Sequence, residues 1–291
     1  MKTKYYPLIL IIFITLTSLK GDKPAYNLFN INGKPVKYQT LLNDALKADV
    51  VLFGELHNNP VCHWLQYELT KDLHASVGEN LILAAEMFEA DNQLQLDEYT
   101  AGAIRQRNFE DDTRLWKNYT TDYKPLMEFA RDNNLKFIAS NIPSRYASIV
   151  HQKGFEALEE LSDEAKKFIA PLPIYYNPEL PGYKGMLEMT GGMGSPHAND
   201  NLPKAQAVKD ATMAYFILKY LQQGTIIIHY NGTYHSNNFE GIYWYLKKHN
   251  PDLNILTIAS VEQDSISKLT PENKNLADYT ICITTSMTKT Y

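Results

Sequence analysis

Cysteine is scarce in this chain: Cys62 and Cys282 are the only two among 291 residues. A disulfide-built scaffold is thereby excluded, and the pair does not have the spacing of a metal site. One disulfide and two buried free thiols both stay open. Tryptophan is also sparse, with 3 residues against 20 tyrosines, so a ligand surface here is expected to be phenolic. No cluster of lysine and arginine stands out and the net charge is −5, which argues against a nucleic-acid partner. The apolar stretch near the start, Leu8 to Leu16, is too short to span a bilayer. It follows Lys2 and Lys4 and precedes small polar residues, the pattern of a secretory signal. Cleavage is expected between Thr17 and Asp22. Residues 1–21 are therefore read as a signal peptide and the product as exported, periplasmic or envelope-associated. No cysteine stands there to carry a lipid anchor.

The length allows a large core, and the 44% hydrophobic content is ordinary for a globular protein. The most informative stretch is Val51 to Pro60, VLFGELHNNP. An apolar run stopped by Gly54 reads as a buried strand. Asn58, Asn59 and Pro60 read as the start of a helix, because asparagine caps well and proline suits the first helical position. The helix carries Val61, Leu65, Leu69 and Leu73 on one stripe, with Trp64 beside it. His63 and His74 are read as surface or internally satisfied residues. Further strands are expected at 48–53, 80–85, 136–139, 225–229, 255–260 and 279–284. Helices are expected at 41–47, from 91 to about 131 with a new start near Pro125, at 146–154, 155–169, 204–223 and 238–248. Residues 22–48 form a lead-in with a turn at Asn32-Gly33-Lys34. Residues 171–203 break the rhythm with repeated proline and glycine. They suit a lid, a ligand loop, a subunit contact or a surface insertion. Strands alternating with helices give an α/β fold, a mainly parallel sheet flanked by helices, with a small helical subdomain inserted. The α/β core takes about 45–92, 132–145 and 204–291, and the insertions about 93–131 and 146–203.

In such sheets ligand sites lie beyond the carboxyl ends of the strands. Those ends bring Glu55 and His57, Glu86, Asn141 with Arg145, and His235 to one rim. Gly54 to His57 and Gly232 to His235 repeat the spacing Gly-x-x-His, each directly after a strand. Two imidazoles and one or two carboxylates suit a divalent transition metal held by Glu55, His57, Glu86 and His235. They also suit metal-free acid–base hydrolysis, with Arg145 stabilising developing negative charge.

GELHNNPVCHWLQYEL at 54–69, AAEMFEADNQLQLDEY at 84–99, FIASNIPSR at 137–145, KAQAVKDATMA at 204–214 and the Gly232-to-His235 loop resemble the ChaN-like haem-binding uptake family. That family belongs to the wider Tiki, TraB and erythromycin-esterase-like superfamily. The resemblance covers about Val50 to Val261. It implies an exported haem-binding protein of iron or haem uptake, haem held at a homodimer interface, and an outer-membrane haem or iron receptor as a partner. It also implies that the rim of Glu55, His57, Glu86 and His235 can be a hydrolytic centre. Haem needs an apolar slot and an axial ligand. Tyr175, Tyr176, Tyr183 and His197, with Met186, Met189 and Met193 nearby, are the haem-contact candidates of the 171–203 stretch.

Overall fold

Alternation along the strands builds two hydrophobic layers. A computed structural model describes residues 23–189 and 201–291. The chain runs through β1 (Tyr26–Asn30), α1 (Tyr38–Ala45), β2 (Val50–Glu55), α2 (Pro60–Val77) and β3 (Leu81–Glu89). Then come α3 (Gln93–Thr100), α4 (Gln106–Asp112), a π-helical turn at Tyr119–Tyr123, α5 (Lys124–Asp132), β4 (Phe137–Asn141), α6 (Ser144–Lys153) and α7 (Asp163–Lys166). The remaining elements are α8 (Pro181–Met189), α9 (Leu202–Tyr220), β5 (Ile226–Gly232), α10 (Ile242–His249), β6 (Ile255–Gln263) and β7 (Tyr279–Thr284). Among the described residues no helix is long and apolar enough to cross a membrane.

The strands form one sheet of order β1-β7-β6-β2-β5-β3-β4. Only β1 runs antiparallel, against β7. Successive side chains point to opposite faces. Val51 and Phe53 of β2, and Ile226, Ile228 and Tyr230 of β5, join α1, α2 and α5 in one core. Val50 and Leu52 of β2, and Ile227 of β5, join α6, α9 and α10 in the other. Both faces are buried, which is why these strands read as continuous apolar runs.

The order places a topological switch at the centre. β2 lies between β5 and β6. The connection leaving β2 goes through α2 on one face to β3, and the one leaving β5 goes through α10 on the other face to β6. Where neighbouring connections part in this way a crevice opens at the carboxyl ends of the strands. Gly54 and Gly232 lie at that point. A Cβ on Gly54 would stand 2.8 Å from the Ile258 carbonyl oxygen, so only glycine lets β2 end so close to β6.

The α/β architecture and its mainly parallel sheet follow the sequence pattern. Several local expectations need correction. The lead-in contains β1, an edge strand with no alternation long enough to signal it. β3 continues past Ala85 to Glu89 through an irregularity in its pairing with β4, so Glu86 lies inside the strand rather than after it. The helix expected over 155–169 is a 3₁₀ segment, Phe155–Glu160, followed by the single turn of α7. The 171–203 stretch contains α8 and the start of α9, and residues 190–200 lie outside the described residues. The last expected helix starts at Ile242, not 238, because Gly241 at φ +53° resets the chain there.

Asn59 caps α2 by accepting the Val61 N–H at 3.0 Å, and the stripe of Val61, Leu65, Leu69 and Leu73 is buried against the sheet. Trp64, beside that stripe, is half exposed and meets Tyr26 edge-on. Replacing Leu69 with alanine should cost about 2–5 kcal/mol in denaturant unfolding, because it leaves a cavity between helix and sheet. A loss below about 1 kcal/mol would contradict this placement.

Candidate functional site

The site has two halves that meet at Gly232. On the α2 face, Glu55 follows Val51 and Phe53 in the same alternation, so it points toward α2 and the π-helical turn. Its Oε1 accepts the Tyr123 hydroxyl at 2.6 Å and faces His57 Nδ1 at 2.8 Å. Its Oε2 accepts the Gln66 amide. His63, one turn before Gln66, is buried beneath this group. It donates from Nε2 to the His57 carbonyl at 3.0 Å, and Asn118 donates to the same carbonyl at 3.0 Å. The His57 ring is therefore held from behind through Nδ1, from below through its own backbone, and from the side by the Trp116 ring, edge-on at 5.0 Å. Glu55 is fully buried, whereas the His57 side chain is 36% exposed. Burial alone would lower the His57 pKa, but the hydrogen bond to Glu55 and the nearby charge of Glu86 raise it.

On the α9 face, His235 lies between two carboxylates. Its Nδ1 meets Asp210 Oδ1 at 2.5 Å and its Nε2 meets Glu86 Oε1 at 3.2 Å. Glu86 Oε2 accepts the Gly232 N–H at 2.7 Å, and Asp210 Oδ2 accepts the Tyr183 hydroxyl at 2.8 Å. All three ionisable side chains are buried. Burial opposes charge on His235, yet Glu86 and Asp210 overcome it and push the pKa up to about 10. Burial acts against charge on Glu86 too, but the His235 cation holds its pKa well below the usual carboxylate range. Burial raises the pKa of Asp210 despite the same cation. The centre of this half is thus an ion pair of Glu86 and His235, with Asp210 and Tyr183 behind it.

The halves touch through the absence of a side chain. A Cβ at Gly232 would lie 2.7 Å from His57 Nε2 and 3.5 Å from Glu86 Oε2. Gly241 has the same role behind His235, where a Cβ would fall 2.3 Å from the His235 carbonyl oxygen. The two Gly-x-x-His spacings thus have one physical meaning: each glycine lets a strand end pass a neighbour that a side chain would displace.

Two adjoining clefts open over this floor. The smaller, about 520 Å³, is lined by Glu55, His57, Glu86, Lys209 and His235 among others. The larger, about 850 Å³, has walls that include Leu56, Met186, Val261 and Leu276. Leu56, Met186, Thr233 and Tyr234 line both. Tyr234 is 75% exposed at this junction. The segment ending in Tyr291 closes one side of the smaller cleft, with the Thr290 N–H donating to the Asn58 carbonyl at 2.9 Å.

The expected site residues fare differently. Glu55, His57, Glu86 and His235 converge on the smaller cleft. Arg145 does not: its guanidinium pairs with Asp91 at 2.7 Å and stacks over the Tyr146 ring. Asn141 is buried at the end of β4. The four rim residues also do not form a metal ligand set. Their donor atoms are turned to one another and to protein N–H groups, and among the described residues no group of three or more His, Cys, Asp or Glu side chains is arranged to hold a metal ion. Tyr175 is exposed, stacked on Trp244 beneath Lys248. Tyr176 packs against Phe155 and Tyr183. Tyr183 is buried, its hydroxyl given to Asp210. Met189 ends α8, and Met193 and His197 lie outside the described residues. Cys62 and Cys282 are both buried and free.

Asp210, Gln66, Tyr123, Lys209 and Tyr234 were not anticipated. Asp210 had a signal: a charged residue inside AVKDATMA, on a helix buried nearly all round, needs a partner. A further histidine, His229, meets Ser140 Oγ at 2.8 Å and Asn231 Oδ1 at 3.0 Å. The grouping imitates a hydrolytic triad. All three side chains are fully buried, and burial lowers the His229 pKa to about 4, so the group ties β4 to β5 instead.

Comparison with known proteins agrees with this architecture. The family described as haem-binding uptake, Tiki superfamily, ChaN matches residues 41–246. The structure reported as cofacial haem binding to ChaN of Campylobacter jejuni superposes with a TM-score of 0.64 at 18% identity, covering 88% of this chain and 96% of that one. A mutant of erythromycin esterase EreC in its open conformation superposes with a TM-score of 0.52 at 11% identity, covering 91% and 98%. At these identities the likeness is one of fold. Protein RETICULATA-RELATED 5, chloroplastic, of Arabidopsis thaliana is 29% identical over 139 residues, which is 43% of this chain and 18% of that protein. The chain thus matches well under two thirds of the length of that relative.

The charge pattern of the α9 half sets a pH dependence. A pKa raised on folding adds stability that is whole below the ordinary imidazole value of about 6.5 and is lost as pH rises through the folded value. For His235 that window runs from about 6.5 to about 10. His235→Gln should lose about 3–5 kcal/mol at pH 6, as removal of one partner of a buried pair does. Its deficit in urea unfolding should shrink toward pH 10. A deficit constant across that range would contradict the ion pair.

Proposed function

Since the chain belongs to the family of haem-binding uptake proteins of the Tiki superfamily, ChaN, we propose that it is an exported haem-binding protein serving iron or haem uptake, with haem in the larger cleft. Export is supported by the pattern of Lys2, Lys4 and the apolar Leu8 to Leu16 stretch. The observation that carries the haem reading is the position of Tyr234. This phenol is three-quarters exposed at the mouth of a cleft of about 850 Å³ whose walls include Leu56, Met186, Val261 and Leu276. Haem requires an apolar slot and an anionic or neutral axial donor, and the cleft offers both. When bound, haem supplies a ferric centre that favours a hard phenolate oxygen. Tyr234 is the residue to provide it. Tyr183 is not available, because its hydroxyl is donated to Asp210 and burial and that carboxylate raise its pKa steeply.

Haemin titrated into the mature chain should saturate at a defined stoichiometry with a shifted Soret band and a tyrosinate charge-transfer band. Tyr234→Phe should lose that band and bind at least tenfold more weakly. An unchanged spectrum in this variant would remove Tyr234 from the reading, and a wild-type spectrum equal to free haemin would remove haem.

A second reading, a metal-free acid–base hydrolase, is favoured by one arrangement. His57 is oriented by buried Glu55 at 2.8 Å and turns Nε2 toward Gly232 on the cleft floor. A carboxylate that fixes the tautomer of an exposed imidazole prepares it as a general base. The raised pKa of His57 means the basic form gains population only above the ordinary imidazole range, so the rate should climb with pH through that region. In an ester and amide panel His57→Asn should lower hydrolysis by about 10²–10⁴-fold. Equal rates in the two proteins would sink this reading.

A further inference from the structure

Lys209 is the unexplained charge of the site. It lies on α9 three residues after Gln206, on the same face of the helix. Both line the smaller cleft, and Gln206 touches the His235 ring at 3.0 Å. Among the described residues Lys209 makes no ion pair and no side-chain hydrogen bond, although Glu55 and Glu86 line the same cleft. Those carboxylates are already engaged. Glu55 accepts from Tyr123 and Gln66, Glu86 accepts from Gly232 and faces His235, and Asp210 faces His235 and accepts from Tyr183. Lysines elsewhere on α8, α9 and the last segment do have partners: Lys184 pairs with Glu179 at 2.5 Å, Lys204 donates to Asn201 Oδ1 at 3.0 Å, and Lys289 pairs with Glu262. The Lys209 ammonium therefore lines the cleft with no carboxylate bound to it, while the carboxylate oxygens of Glu55, Glu86 and Asp210 are engaged by other donors.

We propose that Lys209 is the anchor for a carboxylate of the bound ligand, and that this carboxylate is a propionate of haem. The inference rests on the haem reading above and adds its polarity. The porphyrin body belongs to the apolar cleft by Leu56, Met186, Val261 and Leu276, and its acidic edge belongs to the smaller cleft. The two clefts adjoin, with Leu56, Met186, Thr233 and Tyr234 lining both, so one molecule can reach from one into the other. A charge-assisted hydrogen bond of this kind is roughly twice as strong as a neutral one. It also selects: a ligand without the acid leaves the ammonium unpaired.

The test compares haemin with its dimethyl ester, in which both propionates are neutral, on the full mature chain. Wild type should bind haemin about tenfold or more tightly than the ester, with the gap narrowing as salt is raised. Lys209→Gln should bind both alike, and Lys209→Arg should restore the preference. Lys209 is only partly buried, and circular dichroism of each variant checks that the fold is kept. Equal binding of the two ligands by wild type, or a preference that survives in Lys209→Gln, would overturn the anchor and leave the haem reading standing. If wild type binds neither porphyrin, the haem reading fails and the anchor fails with it.

Discussion

The ion pair of Glu86 and His235, backed by Asp210, is the constraint on which the site depends. Charges without solvent must be matched by other charges or by hydrogen-bond donors, or they shift to their neutral forms. Here each group comes from a different element: Glu86 from β3, Asp210 from α9 and His235 from the turn after β5. Matching them fixes the distance between sheet and α9 and the course of that turn. Tyr183 extends the same network to α8, so an inserted helix is tied to the charge state of the rim. The same group holds the Gly232 N–H, and with it the strand end over which His57 lies.

A second constraint is steric. A parallel sheet leaves its crevice where connections depart to opposite faces, but the crevice is useful only if side chains from both faces can meet there. Gly232 permits that meeting. Glu55 and His57 arrive from the α2 face, Glu86 and His235 from the α9 face, and the missing Cβ is the point of contact. One half is ionic and buried, and the other is a carboxylate-oriented imidazole that reaches solvent. The smaller cleft above them holds the rim's charged side chains, and the larger has Leu56, Met186, Val261 and Leu276 in its walls.

Much of this was legible in the sequence, because the period of the hydrophobic pattern and the polar residues after each apolar run follow directly from a two-sided sheet. That rule, with the repeated Gly-x-x-His spacing, pointed to Glu55, His57, Glu86 and His235, and also to Asn141 and Arg145. What was not legible depends on which partner a polar group meets. Arg145 follows a strand end as the others do, yet Asp91 takes it away from the cleft. Asp210 carried only the signal of a lone charge in an apolar helix, which says that a partner is needed but not which one. The rim suggested a metal from its residue types, but ligation needs lone pairs aimed at one point, and here they accept hydrogen bonds from neighbouring N–H and O–H groups. β1 escaped because an edge strand of five residues carries little pattern, and α8 because its glycines and prolines resemble a loop.

The most direct test of the central claim, a haem site in the apolar cleft at the β2–β5 crevice, is amide hydrogen exchange with and without haemin. Binding there should slow exchange in α8, in the turn from Thr233 to Gly241 and at the end of β6 near Val261, and leave the far ends of the strands unchanged. Protection confined to other surfaces, such as α10 around Trp244, with those three segments unaltered, would contradict the account.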